Sequence, residues 1–171
     1  TNEGVIPDIP KERRKVSSKH KVQFNLTAYL KKIMDIDVTE VCGISELSAL
    51  TIMSEIGTDM TKWKTEHHFT SWLGLAPNTK ISGGKVMSSR IMKKKHHAGQ
   101  AFRMAANGLY NSKSPLGDYF RRLRAKAGAP KAVVATARKL AIIYYKMVAN
   151  KEDFNPKALD DYRKKYNEMK I

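Results

Sequence analysis

From Lys131 to Val148 the chain is apolar nearly all round, with Arg138 and Lys139 among its polar exceptions. A helix without a solvent face has to be wrapped by other elements, so this segment predicts the central helix of a bundle. The wrapping is legible elsewhere. Leu26, Tyr29, Leu30, Ile33 and Met34 recur at helical spacing and predict a short amphipathic helix that starts near Phe24 and stops around Asp35. Glu46 to Glu55 predicts a second helix, with Leu47, Leu50, Ile52 and Met53 on its buried face and Gly57 as its stop. A third runs from a Thr65 cap to Gly74. Ala98, Ala101, Phe102, Ala105 and Leu109 form the stripe of a helix beginning near Lys93, with Gln100, Arg103 and Asn107 opposite. Ser114-Pro115 caps and opens the next, whose Leu116, Tyr119, Phe120 and Leu123 face inward while Arg121, Arg122 and Lys126 point elsewhere.

One stretch breaks the pattern. Between Leu75 and Ile91 no helical period holds, Pro77, Asn78 and Gly83-Gly84 impose turns, and Lys80–Ser82 is placed to pair with Lys85–Met87. The expected fold is therefore mainly α, a helical bundle with a Gly-rich loop or short β-hairpin near 75–91. Residues 24–154 form its one domain. Gly4, Pro7 and Pro10 with a basic cluster mark 1–23 as a linker from something upstream, and 155–171 reads as a polar helix of balanced charge. The chain opens on Thr1, which fits that reading.

Charge then narrows the function. Seventeen Lys or Arg lie between His67 and Lys151 against the single acid Asp118, whereas basic and acidic residues balance on either side, so the net charge of +16 sits in the middle. Such self-repulsion is offset best by a polyanion, and a nucleic-acid backbone is the partner that fits. The lone Cys42 excludes an internal disulfide framework and suits a reducing cytoplasm. No apolar run approaches the ~20 residues of a membrane helix.

Three features carry candidate chemistry. Val41-Cys42-Gly43-Ile44-Ser45 leading into a helix outlines a helix-hairpin-helix, whose Gly turn presents backbone N–H groups to one phosphate; two short helices joined through a glycine would read the same way. Lys93-Lys94-Lys95 opposes the dipole of the helix it is expected to begin, which makes sense with a phosphate between them. Ser82, beside Gly83-Gly84 and among Lys80, Lys85 and Arg90, is either an ordinary turn residue or a nucleophile that a phosphodiester can approach closely. A nucleophilic serine needs a base, and no carboxylate lies between His67 and Gly117. His68 and His97 are candidates, but the adjacent pairs His67-His68 and His96-His97 lack the spacing of a zinc site, so no metal is expected in this chain. Trp63, Trp72 and Tyr144-Tyr145 read as core.

Taken in order, VCGISELSALTIMSEIGTDMTKW (41–63), HHFTSWLGLAPNTKISGGKVMSSR (67–90) and GQAFRMAANGLYNSKSPLGDYFRRLRAKAGAPKAVVATARKLAIIYY (99–145) resemble the C-terminal domain of the DEDD-type insertion-sequence transposases, relatives of the Piv site-specific invertase, some of them guided by a bridge RNA. The resemblance covers about Phe24 to Phe154. It implies a bacterial or archaeal, nucleoid-associated DNA recombinase in which the serine of the SGG segment, here Ser82, joins covalently to a DNA phosphate. It further implies that Mg²⁺ is bound by four acidic residues of an N-terminal domain not contained in this chain, that the active site forms between neighbouring protomers, and that the partners are DNA and, in guided relatives, RNA. The nucleic-acid surface would draw on Gly43, Ile44, Ser45, Lys80, Gly83, Gly84, Lys85, Arg90, Lys93, Lys94, Lys95, Arg103, Arg121 and Arg122. Ser45 stands where the usual hairpin has a second glycine, and His96-His97 stand where relatives often carry Asn. The alternative is a nonenzymatic helix-hairpin-helix module that only holds a nucleic-acid backbone.

Overall fold

A computed structural model describes Val22 and residues 24–157; the linker expected over 1–23 and the helix expected over 155–171 fall otherwise outside the described residues. Six α-helices and one antiparallel hairpin make up the fold: α1 (Leu26–Met34), α2 (Glu46–Ile56), α3 (Glu66–Trp72), β1 (Lys80–Ser82), β2 (Lys85–Ser88), α4 (His97–Gly108), α5 (Pro115–Ala127) and α6 (Ala129–Asn150). The mainly helical class and the short hairpin are as the sequence predicts.

Helix α6 lies at the centre, packed against α3, α4 and α5. Its 22 residues span about 33 Å at 1.5 Å per residue. Ala132, Ala137, Leu140, Ala141, Tyr144 and Val148 are buried along it, and the Tyr144 ring meets Phe102 of α4 edge-on at 5.6 Å between centroids. Burial pushes the Tyr144 phenol above its ordinary pKa. The helix starts are set by side-chain caps: Asn25 on α1, Ser45 on α2, Thr65 on α3 and Ser114 on α5, the last followed by Pro115.

Two buried faces differ from expectation. On α1, Leu26, Ala28, Leu30 and Met34 are buried while Tyr29 and Ile33 face solvent. On α2 the small Ala49 joins Ile52 and Ile56 inside, and Leu47 and Leu50 are exposed. Both rows of apolar residues are helical in period, and the choice of row falls to the one whose residues meet other elements. The break after α1 contains a single 3-10 turn, Val38–Glu40, so the element preceding the Gly43 turn is shorter than an α-helix.

The start of α4 also moves. It begins at His97, and Lys93–Lys95 run ahead of it without helical hydrogen bonds. Its first turn is capped from another helix: Glu55, near the end of α2, accepts the Ala98 N–H at 2.5 Å through Oε2 and faces His96 Nδ1 at 3.1 Å through Oε1. A carboxylate at this N-terminus satisfies the dipole that the lysines were expected to oppose. Replacing Glu55 by alanine removes an interhelix cap and is expected to lower stability by about 1–2 kcal/mol, read as a lower urea midpoint at unchanged slope. A loss below about 0.5 kcal/mol would mean that water serves the helix end equally well.

Candidate nucleic-acid interface

The hairpin projects from the body as an arm. Gly83 and Gly84, with φ of +56° and +75°, form the two-residue turn that matches the strands' own twist, and the pairs Ser82↔Lys85, Ile81↔Val86 and Lys80↔Ser88 follow, with Met87 as an extra bulged residue. Side chains alternate across a strand, so Lys80, Ser82, Lys85 and Ser88 share one face and Ile81 and Val86 the other. Neither face is covered: Ile81, Val86 and Met87 are 65%, 62% and 70% exposed. The arm closes at its base where Pro77 bridges Ile91 and Asn78 N–H donates to Arg90 O at 3.0 Å.

Two of the predicted nucleic-acid contacts also hold that base. Arg103 Nη2 donates to Gly74 O at 3.0 Å, and Lys94 Nζ donates to Ser71 O at 3.0 Å, so both satisfy carbonyls at the end of α3. Lys80, Lys85, Arg90, Lys93 and Lys95 are exposed, and among the described residues none has a hydrogen bond or ion pair through its side chain. The structure thus brings Ser82, Gly83 and Gly84 together with Lys80 and Lys85, and strings Arg90, Lys93 and Lys95 along the segment that leads from β2 to α4.

The remaining candidates lie at the other end of α4. Leu73, at the end of α3 ahead of the arm, packs against Gly99, whereas Gly43 sits against Ala105 and Leu109, roughly 10–15 Å further along the helix. Gly43, at φ +98°, has no room for a side chain, because a Cβ would lie 2.9 Å from Ala105 O. Ile44 is buried and its N–H donates to Val41 O at 3.0 Å, so it is unavailable to a phosphate. Ser45 is exposed, and its Oγ accepts the Ser48 N–H at 3.2 Å. Arg121 bonds to Tyr110 O at 2.8 Å, to Ser112 O at 2.6 Å and to Asp118, which fixes the junction into α5. Arg122 lies near Lys139, whose ammonium stacks 4.4 Å above the Tyr119 ring. Burial, with the Arg122 charge, holds Lys139 below the ordinary lysine pKa.

No base is hydrogen-bonded to Ser82 among the described residues, and His97 opens α4 outside the arm. His68 Nδ1 contacts Thr65 Oγ1 at 2.8 Å, His67 Nδ1 contacts Arg138 Nη2 at 3.4 Å, and His96 is engaged by Glu55. The described residues contain no group of three His, Cys, Asp or Glu able to hold a metal ion, so the Mg²⁺ implied by the resemblance finds no ligand set in them. They also contain no helix long and apolar enough to cross a membrane. Sequence reasoning missed Glu55, a carboxylate 43 residues from the N–H it caps. The absence of a Ser, Thr, Asp or Asn cap before His97 was its one local signal.

Residues 37–121 match the model of the Transposase IS116/IS110/IS902 family, a span that runs from the Gly43 turn through the arm to Arg121. No curated protein and no solved structure matches the chain.

Proposed function

We propose that this chain, whose residues 37–121 match the Transposase IS116/IS110/IS902 family model, is a transposase domain that supplies the serine nucleophile of a DNA strand-transfer reaction together with the cationic surface that holds the DNA. The observation that carries this reading is the placement of Ser82. It closes a two-glycine turn at the tip of an exposed arm, opposite Lys85 and on the same face as Lys80. Glycines at the tip leave a phosphodiester free to approach the hydroxyl, and the flanking ammonium groups offset charge that gathers on the nonbridging oxygens.

The chemistry is transesterification. Ser82 Oγ forms a bond to phosphorus as the P–O bond to one strand breaks, the hydroxyl proton passes to a base outside the arm, and the departing strand takes up a proton at its new hydroxyl. A hydroxyl of a second strand then attacks the phosphoserine and releases Ser82. The number of phosphodiester bonds is unchanged, so no energy-rich cofactor is consumed. The base, and the acidic metal-binding domain to which the resemblance assigns it, come from outside the described residues, and a neighbouring protomer completes the site.

The experiment joins the chain to an acidic metal-binding domain of the same family and incubates it with Mg²⁺ and end-labelled DNA. A protein–DNA adduct that survives a denaturing gel is expected. Binding without an adduct under every metal and substrate condition would return Ser82 to the role of a turn residue and leave a binding module.

Binding itself should be steeply salt-dependent. If Lys80, Lys85, Arg90, Lys93 and Lys95 each neutralise one duplex phosphate, log K falls against log salt with a slope of about −4.5, and Lys85→Ala makes it shallower by about 0.9. A flat dependence would sink the electrostatic reading.

A further inference from the structure

Trp63 and Trp72 are the chain's two tryptophans, and neither is fully buried. They stand in a series of rings that runs outward from the core, Phe69 to Trp63 to Trp72 to His96, with centroids 5.0, 5.1 and 4.0 Å apart. Phe69 is buried, and Tyr145 Oη donates to Trp63 O at 2.8 Å, so the series is fixed at its inner end. Both indoles line an open surface cleft of about 530 Å³.

The rim of this cleft is cationic. Lys62, Lys64 and Lys94 surround it with His68, and no carboxylate lines it. Lys62 Nζ and Lys94 Nζ each donate to one backbone carbonyl, at 3.3 and 3.0 Å, and an ammonium has further protons to give. Lys64 is exposed and has no side-chain partner among the described residues. An aromatic cluster whose only task was packing would be closed by apolar side chains. Here two indoles open between three lysines.

We propose that the Trp63–Trp72 cleft is a binding site for an unpaired nucleotide of a single-stranded nucleic acid, its base against the indoles and its flanking phosphates on Lys64 and Lys94. Prefixed aromatic rings cost little entropy to use, and every base offers a π-face, so the site selects for an unstacked base rather than for a sequence. A duplex keeps its bases stacked, has no unpaired base to offer the indoles, and is left to the arm's cations. The proposal rests on the nucleic-acid reading of the arm but uses different residues, with Lys94 at the boundary between the two.

The absence of any other tryptophan makes emission a local reporter. The whole chain is titrated with single strands of about 15 nucleotides, oligothymidylate and oligouridylate, and with a duplex of matched length. Anisotropy of a labelled strand reads binding, and tryptophan emission with unlabelled strands reads the cleft. Saturable quenching by a single strand, with little by the duplex, is expected; the strand that quenches at lower concentration identifies DNA or RNA as the ligand. Lys64→Glu should weaken single-strand binding by about tenfold, because the strand loses a phosphate contact beside the stacked base, and leave the duplex affinity within about twofold. Single-strand binding in anisotropy without quenching overturns the cleft while the arm's reading stands. No binding of any strand overturns both.

Discussion

Ser82→Ala is expected to leave DNA affinity within about twofold of the unaltered protein, as for other exposed substitutions, and to abolish covalent attachment entirely. The contrast follows from where the residue stands. Ser82 is exposed, no hydrogen bond to its hydroxyl is present among the described residues, and its backbone pairing with Lys85 does not depend on the side chain. Alanine therefore costs the fold almost nothing, and the five exposed cations proposed to grip the backbone remain. What disappears is the one oxygen that can bond to phosphorus at the arm's tip. Ser88 shares the face and provides the internal control: an adduct that survives in Ser82→Ala and is lost in Ser88→Ala would transfer the nucleophile to the other strand. An adduct lost together with affinity would mean that Ser82 contributes to binding and would count against the assignment.

Gly117→Ala should be the most damaging single methyl in the fold. Gly117 is buried in the first turn of α5, and a Cβ there would lie 2.3 Å from Ser112 O and 2.9 Å from Leu109 O. Both obstacles are backbone, and Ser112 O is held further by Arg121. Nothing flexible can move aside, so α5 or the preceding turn must shift, at a cost of about 3 kcal/mol or more and a fall of roughly 6–12 °C in Tm. Gly108→Ala is the matched comparison. It sits at an ordinary helical φ of −62° with open space where the methyl would go, and it should gain about 0.5–1 kcal/mol. Equal stability of the two variants in calorimetry would refute the close packing of α5 on the end of α4.

Local chemistry made most of the fold legible. Thr65, Ser114-Pro115, Gly57 and Gly74 bound their helices where cap rules put them, and Gly83-Gly84 marked the hairpin because two consecutive positive φ angles are needed there. Illegible features depended on groups distant in sequence. Leu47 and Leu50 have the same period as Ala49 and Ile52, and only the approach of other elements decides which row is buried. The α4 start shifted from Lys93 to His97 because Glu55 caps it from α2. The site divided along the same line. Lys80, Ser82 and Lys85 could be grouped from spacing alone, since they lie within one turn of each other. Arg103, Lys94 and Arg121 look like free cations in sequence, yet each finds a main-chain carbonyl that only tertiary structure brings near.

No side chain between Pro77 and Met87 is buried, and the arm meets the body only through its base. Selection for a folded protein is therefore nearly blind to this segment, since a residue that contacts no core cannot be retained for the core's sake. Everything held constant there over evolutionary time would have to be held by what the arm touches, and everything else is free to drift. A lineage of such proteins could vary the surface of the arm while inheriting the bundle unchanged.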